Sequence, residues 1–182
     1  MSDNTETVTM RDRYLGAPEF EEMLATATQN VDLWAAVWRR ASVPADFVRR
    51  VEGLGSAWHL LVLSEDWCGD AVNTVPVVAK LAELAPNVDL RVLARDENPD
   101  LMDSHLTGIS RSIPVVIALD DEFRERGWWG PRPAALQEWV LGPGRALDKD
   151  ARYREVRTWY ARDRGTTTLE EVVAMMERAA AK

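Results

Sequence analysis

Apolar positions recur at helical spacing through the first third of the chain and then change to short unbroken runs. Phe20, Met23, Leu24 and Ala27 follow Pro18 and the acids Glu19, Glu21 and Glu22, which suit the positive end of a helix dipole. Leu33, Trp34, Val37 and Trp38 repeat that spacing behind Asp32, a candidate cap, until Ser42-Val43-Pro44 breaks it. Phe47, Val48 and Val51 predict a third short helix, ended by Gly53 and Gly55. The aromatic residues of these two or three helices fall on one face, which predicts a layer laid against something else.

The run Trp58-His59-Leu60-Leu61-Val62-Leu63 lacks polar alternation and reads as a strand covered on both faces. Residues 69–85 read as a helix with Val72, Val75, Val78 or Ala79, and Ala82 on one face, and with Pro86-Asn87 past its end. Val88 to Ala94 predicts a second strand, and Asn98-Pro99-Asp100 opens a short helix through Leu106 that Gly108 terminates. Ile113 to Leu119 is the most apolar strand; Asp120-Asp121 turns it into a fourth, Phe123 to Trp129, paired as a hairpin. The stretch Gly127-Trp128-Trp129-Gly130-Pro131-Arg132-Pro133 ends that strand, and a helix from Ala134 to Leu141 follows. Beyond Gly142-Pro143-Gly144, helices are predicted over 148–164 and 167–181. The last is amphipathic through Leu169, Val172, Val173 and Met176, with one of the threonines at 166–168 as its cap. The order β-α-β-α-β-β-α between flanking helices predicts an α/β protein. Two parallel strands joined by a crossover helix, then an antiparallel hairpin, make a mixed four-stranded sheet.

Composition and charge narrow the function classes. A chain of 182 residues suffices for one compact domain with a sizeable core, and only the polar opening MSDNTET offers nothing to bury. No apolar run reaches the ~20 residues that span a bilayer, and no basic-then-apolar leader opens the chain. The expectation is a cytoplasmic protein with no membrane attachment. The net charge of −8 repels nucleic-acid phosphates, and the arginines between Arg145 and Arg164 are interleaved with Asp148, Asp150, Glu155 and Asp163, as on a solvated helix face. One cysteine excludes an intramolecular disulfide, and with only two histidines beside it no metal site is expected. His59 reads as a satisfied sheet residue and His105 as a partner for the negative end of a helix dipole. The pairs Trp34/Trp38 and Trp128/Trp129 read as packing between elements.

The remaining chemistry lies in the loop after the first strand, Ser64-Glu65-Asp66-Trp67-Cys68-Gly69-Asp70-Ala71. A cysteine at a strand-to-helix junction lies beside the unpaired N–H groups that begin the helix, and these stabilise a thiolate. Trp67-Cys68-Gly69 before a helix resembles the W-C-G-x-C active site of the thioredoxin family. Pro76 falls eight residues after the cysteine, where that family carries a helix proline, and Ile113-Pro114 resembles its cis-proline. The segment from Gly108-Ile109 to Arg111-Ser112 is similar to the family's approach to that strand, with one extra residue. The resemblance covers roughly residues 56–142 and implies a thioredoxin-like fold, with 1–55 and 143–182 as N-terminal and C-terminal helical extensions of a single domain.

Two departures bear on mechanism. The family's second cysteine falls at Ala71, and its buried carboxylate, six residues before the first cysteine, falls at Val62. The dithiol cycle is therefore closed to one chain, and what remains is monothiol exchange. Cys68 would attack a protein or low-molecular-weight disulfide, and an external thiol such as glutathione would release the product as co-substrate. The resemblance assigns Trp67, Ile113 and Pro114 to binding of the partner's extended chain, and Gly69 permits close approach. Asp70 sits in the first turn and puts a negative charge near the sulfur. Glu65 and Asp66 oppose the helix dipole in the same way, and Arg111 is the candidate cation to offset them. Two other readings stand beside exchange: a non-catalytic protein-binding module using the groove between Trp67 and Pro114, and a redox sensor that dimerises through Cys68. Substrate and oligomeric state are not specified by these residues.

Overall fold

A computed structural model describes residues 8–182, so the expectation for MSDNTET lies outside the described residues. Four strands form one mixed sheet: β1 (Trp58–Ser64), β2 (Val88–Ala94), β3 (Val115–Leu119) and β4 (Glu125–Trp129), in the order β2-β1-β3-β4. β1 runs parallel to β2 and antiparallel to β3, and β3 is antiparallel to β4. The fold is the expected thioredoxin-like sheet with flanking helices. Leu60, Leu61, Val62 and Leu63 are all fully buried, which is why β1 carries no polar alternation.

The helices before β1 are α1 (Met10–Gly16), α2 (Phe20–Thr26), α3 (Val31–Arg40) and α4 (Ala45–Glu52). α1 was not expected. A reciprocal cap between Thr9 and Asp12 opens it, and it buries Tyr14 against His59 and Phe123. α2 begins two residues after Pro18 with a similar cap between Glu19 and Glu22. The carbonyl of Pro18 accepts from Val92 N–H at 3.0 Å and Glu19 bridges Arg91, so the chain entering α2 covers the open edge of β2.

Between and after the strands come α5 (Gly69–Leu84), α6 (Pro99–Asp103), α7 (Ala134–Leu141), α8 (Lys149–Asp163) and α9 (Thr166–Ala180). α6 is shorter than expected and follows a 3₁₀ turn at Arg95–Glu97. The fourth strand starts two residues later than expected. Phe123 takes a left-handed conformation (φ 60°) in the turn, while the Asp120 carboxylate accepts from Glu122 and Arg124 N–H groups. α9 is not capped by a threonine: Gly165, at φ 80°, is its N-cap, and the Asp163 carboxylate takes the Thr167 N–H.

One contiguous core joins the sheet to helices at both ends of the chain. It takes Tyr14, Phe20, Trp34, Phe47 and Val51 from before β1, and Leu169, Val172, Val173 and Met176 from α9. α9 runs along β4 and also packs on α4 and α5. Arg50 of α4 pairs with Glu177 at 2.9 Å and Glu170 at 3.1 Å, joining the two ends of the chain at the surface. His59 is not satisfied as expected: its Nδ1 is buried with no hydrogen-bond partner among the described residues, the ring stacks on Phe123 at 4.4 Å, and burial lowers its pKa. His105, nearly buried, sets Nδ1 2.8 Å from the Leu101 carbonyl of α6 and Nε2 3.0 Å from Glu125. Trp34 and Trp129 pack as expected, whereas Trp128 is 36% exposed. No helix among the described residues is long and apolar enough to cross a membrane.

The completely buried Trp34 ties α3 to the loop after β1, since its indole N–H donates to the Asp66 carbonyl at 2.9 Å. Trp34→Ala is expected to lower the unfolding free energy by about 3–5 kcal/mol, measured by urea denaturation.

Candidate functional site

The site is built where β1 ends and α5 begins. Cys68 is the N-cap of the 16-residue α5 and has an extended backbone; its sulfur accepts the Ala71 N–H at 3.5 Å. The thiol also donates to the Ile113 carbonyl at 3.4 Å. Cys68 is only 8% exposed. Ala71 and Val62, where the resemblance departs from the family, are both completely buried.

The loop that carries the cysteine is held by its acids. The Asp66 carboxylate accepts from the N–H groups of Thr28 at 2.7 Å and Gln29 at 3.0 Å. Those bonds outweigh its partial burial and hold its pKa below the usual carboxylate range. Glu65 accepts the Asp96 N–H at 2.9 Å. Both acids therefore fasten the loop to neighbouring segments. Trp67 is 41% exposed, with the Arg95 guanidinium over its ring at 4.9 Å. Arg95 also donates to the Arg111 carbonyl at 3.0 Å, linking Trp67 to the segment that leads into Ile113.

Arg111 is not the cation of the site. It forms a two-pronged pair with Asp103, both contacts at 2.7 Å. The cation that arrives is Arg132, which the sequence reading did not single out. Its guanidinium meets Asp70 at 2.7 Å, and the hydroxyl of Tyr160 on α8 donates to the other Asp70 oxygen at 2.8 Å. Asp70 does face the sulfur's surroundings as expected, yet its charge is held from two sides. Arg132 is delivered by the turn after β4, where Gly130 has φ 142° and a Cβ would stand 2.1 Å from the Pro114 carbonyl oxygen. Only glycine permits that approach. No sequence signal marked Arg132 or Tyr160, because the contact to Tyr160 spans 90 residues.

The other expected site residues divide by exposure. Ile113 and Pro114 are buried, joined by a cis peptide, and meet Cys68 through the Ile113 carbonyl. Gly69 is exposed, and a methyl group there would meet nothing among the described residues within 4 Å beyond its chain neighbours and its own helix backbone. Its small size answers to no contact within the protein.

The electrostatic contest at Cys68 is decided by desolvation. Burial pushes the thiol up, the Ala71 N–H opposes it, the Asp70 charge adds to the rise, and the Asp70 N–H and Arg132 oppose it. The net direction is upward, so the resting group is a neutral thiol.

A family model described as thioredoxin matches residues 17–162. Among solved structures, a protein of unknown function from Pseudomonas aeruginosa is 20% identical with a TM-score of 0.77, and the match covers 95% of this chain and 99% of that one. An HIV epitope-scaffold is 18% identical with a TM-score of 0.74, the match covering 93% of this chain and 98% of that one. Both share the fold. No curated protein matches the chain.

The rate of Cys68 alkylation by a neutral reagent is expected to inflect above the ~8.5 of an ordinary cysteine. Asp70→Asn removes a raising charge and is expected to move the inflection down; Arg132→Gln removes a lowering one and is expected to move it up. Intact-mass kinetics against pH check both directions.

Proposed function

The chain belongs to the thioredoxin family, and from that premise we propose that it performs thiol–disulfide exchange of monothiol type through Cys68. The observation that carries the reading is the sulfur's position at the start of α5, with the Ala71 N–H directed at it. Negative charge formed on the sulfur is met there by amide donors and the positive end of a long helix.

In the first step the Cys68 thiolate attacks one sulfur of a partner disulfide. A new S–S bond forms to Cys68, the old one breaks, and the departing thiolate takes up a proton. In the second step an external thiolate, such as glutathione, attacks the partner's sulfur in the mixed disulfide. Cys68 leaves as a thiolate, and the partner departs disulfide-bonded to the external thiol. No electrons are gained or lost overall; the disulfide is exchanged. Trp67 supplies an exposed flat surface for the partner, and open space over Gly69 leaves room for its chain. The Ile113 carbonyl, just before Pro114, meets the sulfur from the segment that leads into β3.

Burial sets the pace. A protonated thiol does not attack, and below its pKa the thiolate fraction falls about tenfold for each pH unit. Exchange through Cys68 is therefore slow at neutral pH and accelerates with alkalinity. The same burial favours a second reading, a partner-binding module in which the groove between Trp67 and Pro114 recognises an extended chain and the sulfur does no chemistry.

Incubation with glutathione disulfide separates the two. On the exchange reading, intact mass shows one glutathionyl adduct on the native protein, formed faster at higher pH, removed by added thiol and absent from Cys68→Ser. If the adduct forms only after denaturation, exchange fails and the binding reading stands.

A further inference from the structure

We propose that the groove between α3, α5 and α8 is a binding site for a soluble organic anion with an apolar body. The groove encloses about 640 Å³, within the ~300–1,000 Å³ range of small-molecule sites. Leu33 of α3, Val77 of α5 and Tyr160 of α8 give it apolar surface beside the polar Ser42 and Asn73, and Arg40, Arg157 and Arg164 also line it. Val77 and Tyr160 are buried and the arginines are exposed, so the floor is apolar and the rim is cationic.

Charge makes this arrangement unusual in this chain. Acids outnumber bases by 30 to 22, yet no carboxylate among the described residues lines the groove. Several arginines hold a carboxylate, among them Arg50, Arg111 and Arg132. None of Arg40, Arg157 and Arg164 forms an ion pair among the described residues. Three guanidinium groups with no ion-pair partner among the described residues share one cavity, so an anionic head group meets uncommitted donors there. Guanidinium suits the task because it presents several donors to a carboxylate or phosphate in fixed geometry.

The groove is also preformed. Arg164 holds a left-handed conformation (φ 54°) at the end of α8, a place more often taken by glycine or asparagine. The next residue, Gly165, rests against Val77, which its Cβ would approach to 3.0 Å. The turn that presents Arg164 is thus packed onto the floor of the groove. An apolar floor below a charged rim fits a molecule that enters the cavity rather than a bilayer that lies across it. Nothing in this proposal depends on the reactivity of Cys68, although Tyr160 links the two places through Asp70.

Decyl phosphate, titrated calorimetrically below its micellar concentration at low ionic strength, is the probe. Saturable binding at one site is expected, with inorganic phosphate and decanol each at least about tenfold weaker. The double variant Arg40→Gln/Arg157→Gln is expected to weaken binding at least about tenfold without changing thermal unfolding, and added salt to weaken it further. The proposal is overturned by an absence of saturable binding, by undiminished binding in the double variant, or by equal binding of decyltrimethylammonium. Binding to phosphatidylglycerol vesicles without binding to monomeric decyl phosphate also overturns it.

Discussion

The carboxylate of Asp70 joins three parts of the chain that lie far apart in sequence: the first turn of α5, the turn after β4, and α8. A carboxylate only 13% exposed carries a desolvation cost that a single weak contact does not offset. Here Arg132 and Tyr160 offset it together, and each is itself positioned by a larger element. Arg132 depends on the close passage of Gly130 over Pro114, and Tyr160 depends on the seating of α8. The site is therefore a junction of elements, and its charge balance is a property of the whole fold.

That balance explains how a cysteine at a helix N-terminus keeps its proton. The dipole and the Ala71 N–H act on the sulfur as helix-terminal donors do, and Arg132 adds to them. Desolvation, with the Asp70 charge beside it, outweighs the backbone donors and Arg132. The surroundings of Cys68 are dry because the helices on either side of the sheet complete a continuous core up to the sulfur. Activation and burial arise from the same geometry, because a helix start pressed against the β3 segment provides both the donors and the low dielectric.

The loop before Cys68 shows the same economy. Asp66 anchors the N-terminal helices through its carboxylate and, through its carbonyl, through Trp34 and Asn30. Glu65 anchors the turn after β2. A carboxylate that accepts backbone N–H groups from another segment sets the loop's position. The exposed remainder, Trp67 and Gly69, is the face that this loop turns outward.

By itself the sequence determined the four strands, the parallel crossover from β1 to β2, the β3–β4 hairpin and the placing of Cys68 at a strand-to-helix junction. Those features are local: unbroken apolar runs make buried strands, and helical spacing makes the crossover helix between β1 and β2. It also carried the family, through Trp67-Cys68-Gly69, Pro76 and Ile113-Pro114, and the loss of a second thiol at Ala71. Tertiary structure decided what no window of sequence contains. α1 is a short helix whose one buried side chain, Tyr14, has meaning only against His59. The cation of the site is Arg132 rather than Arg111, because a guanidinium near in sequence found Asp103 first, and a distant one was carried in by a glycine turn. The protonation of Cys68 and the cationic groove beside α5 belong to the same class. Both are set by solvent exclusion and by charges that meet only after the chain has closed on itself.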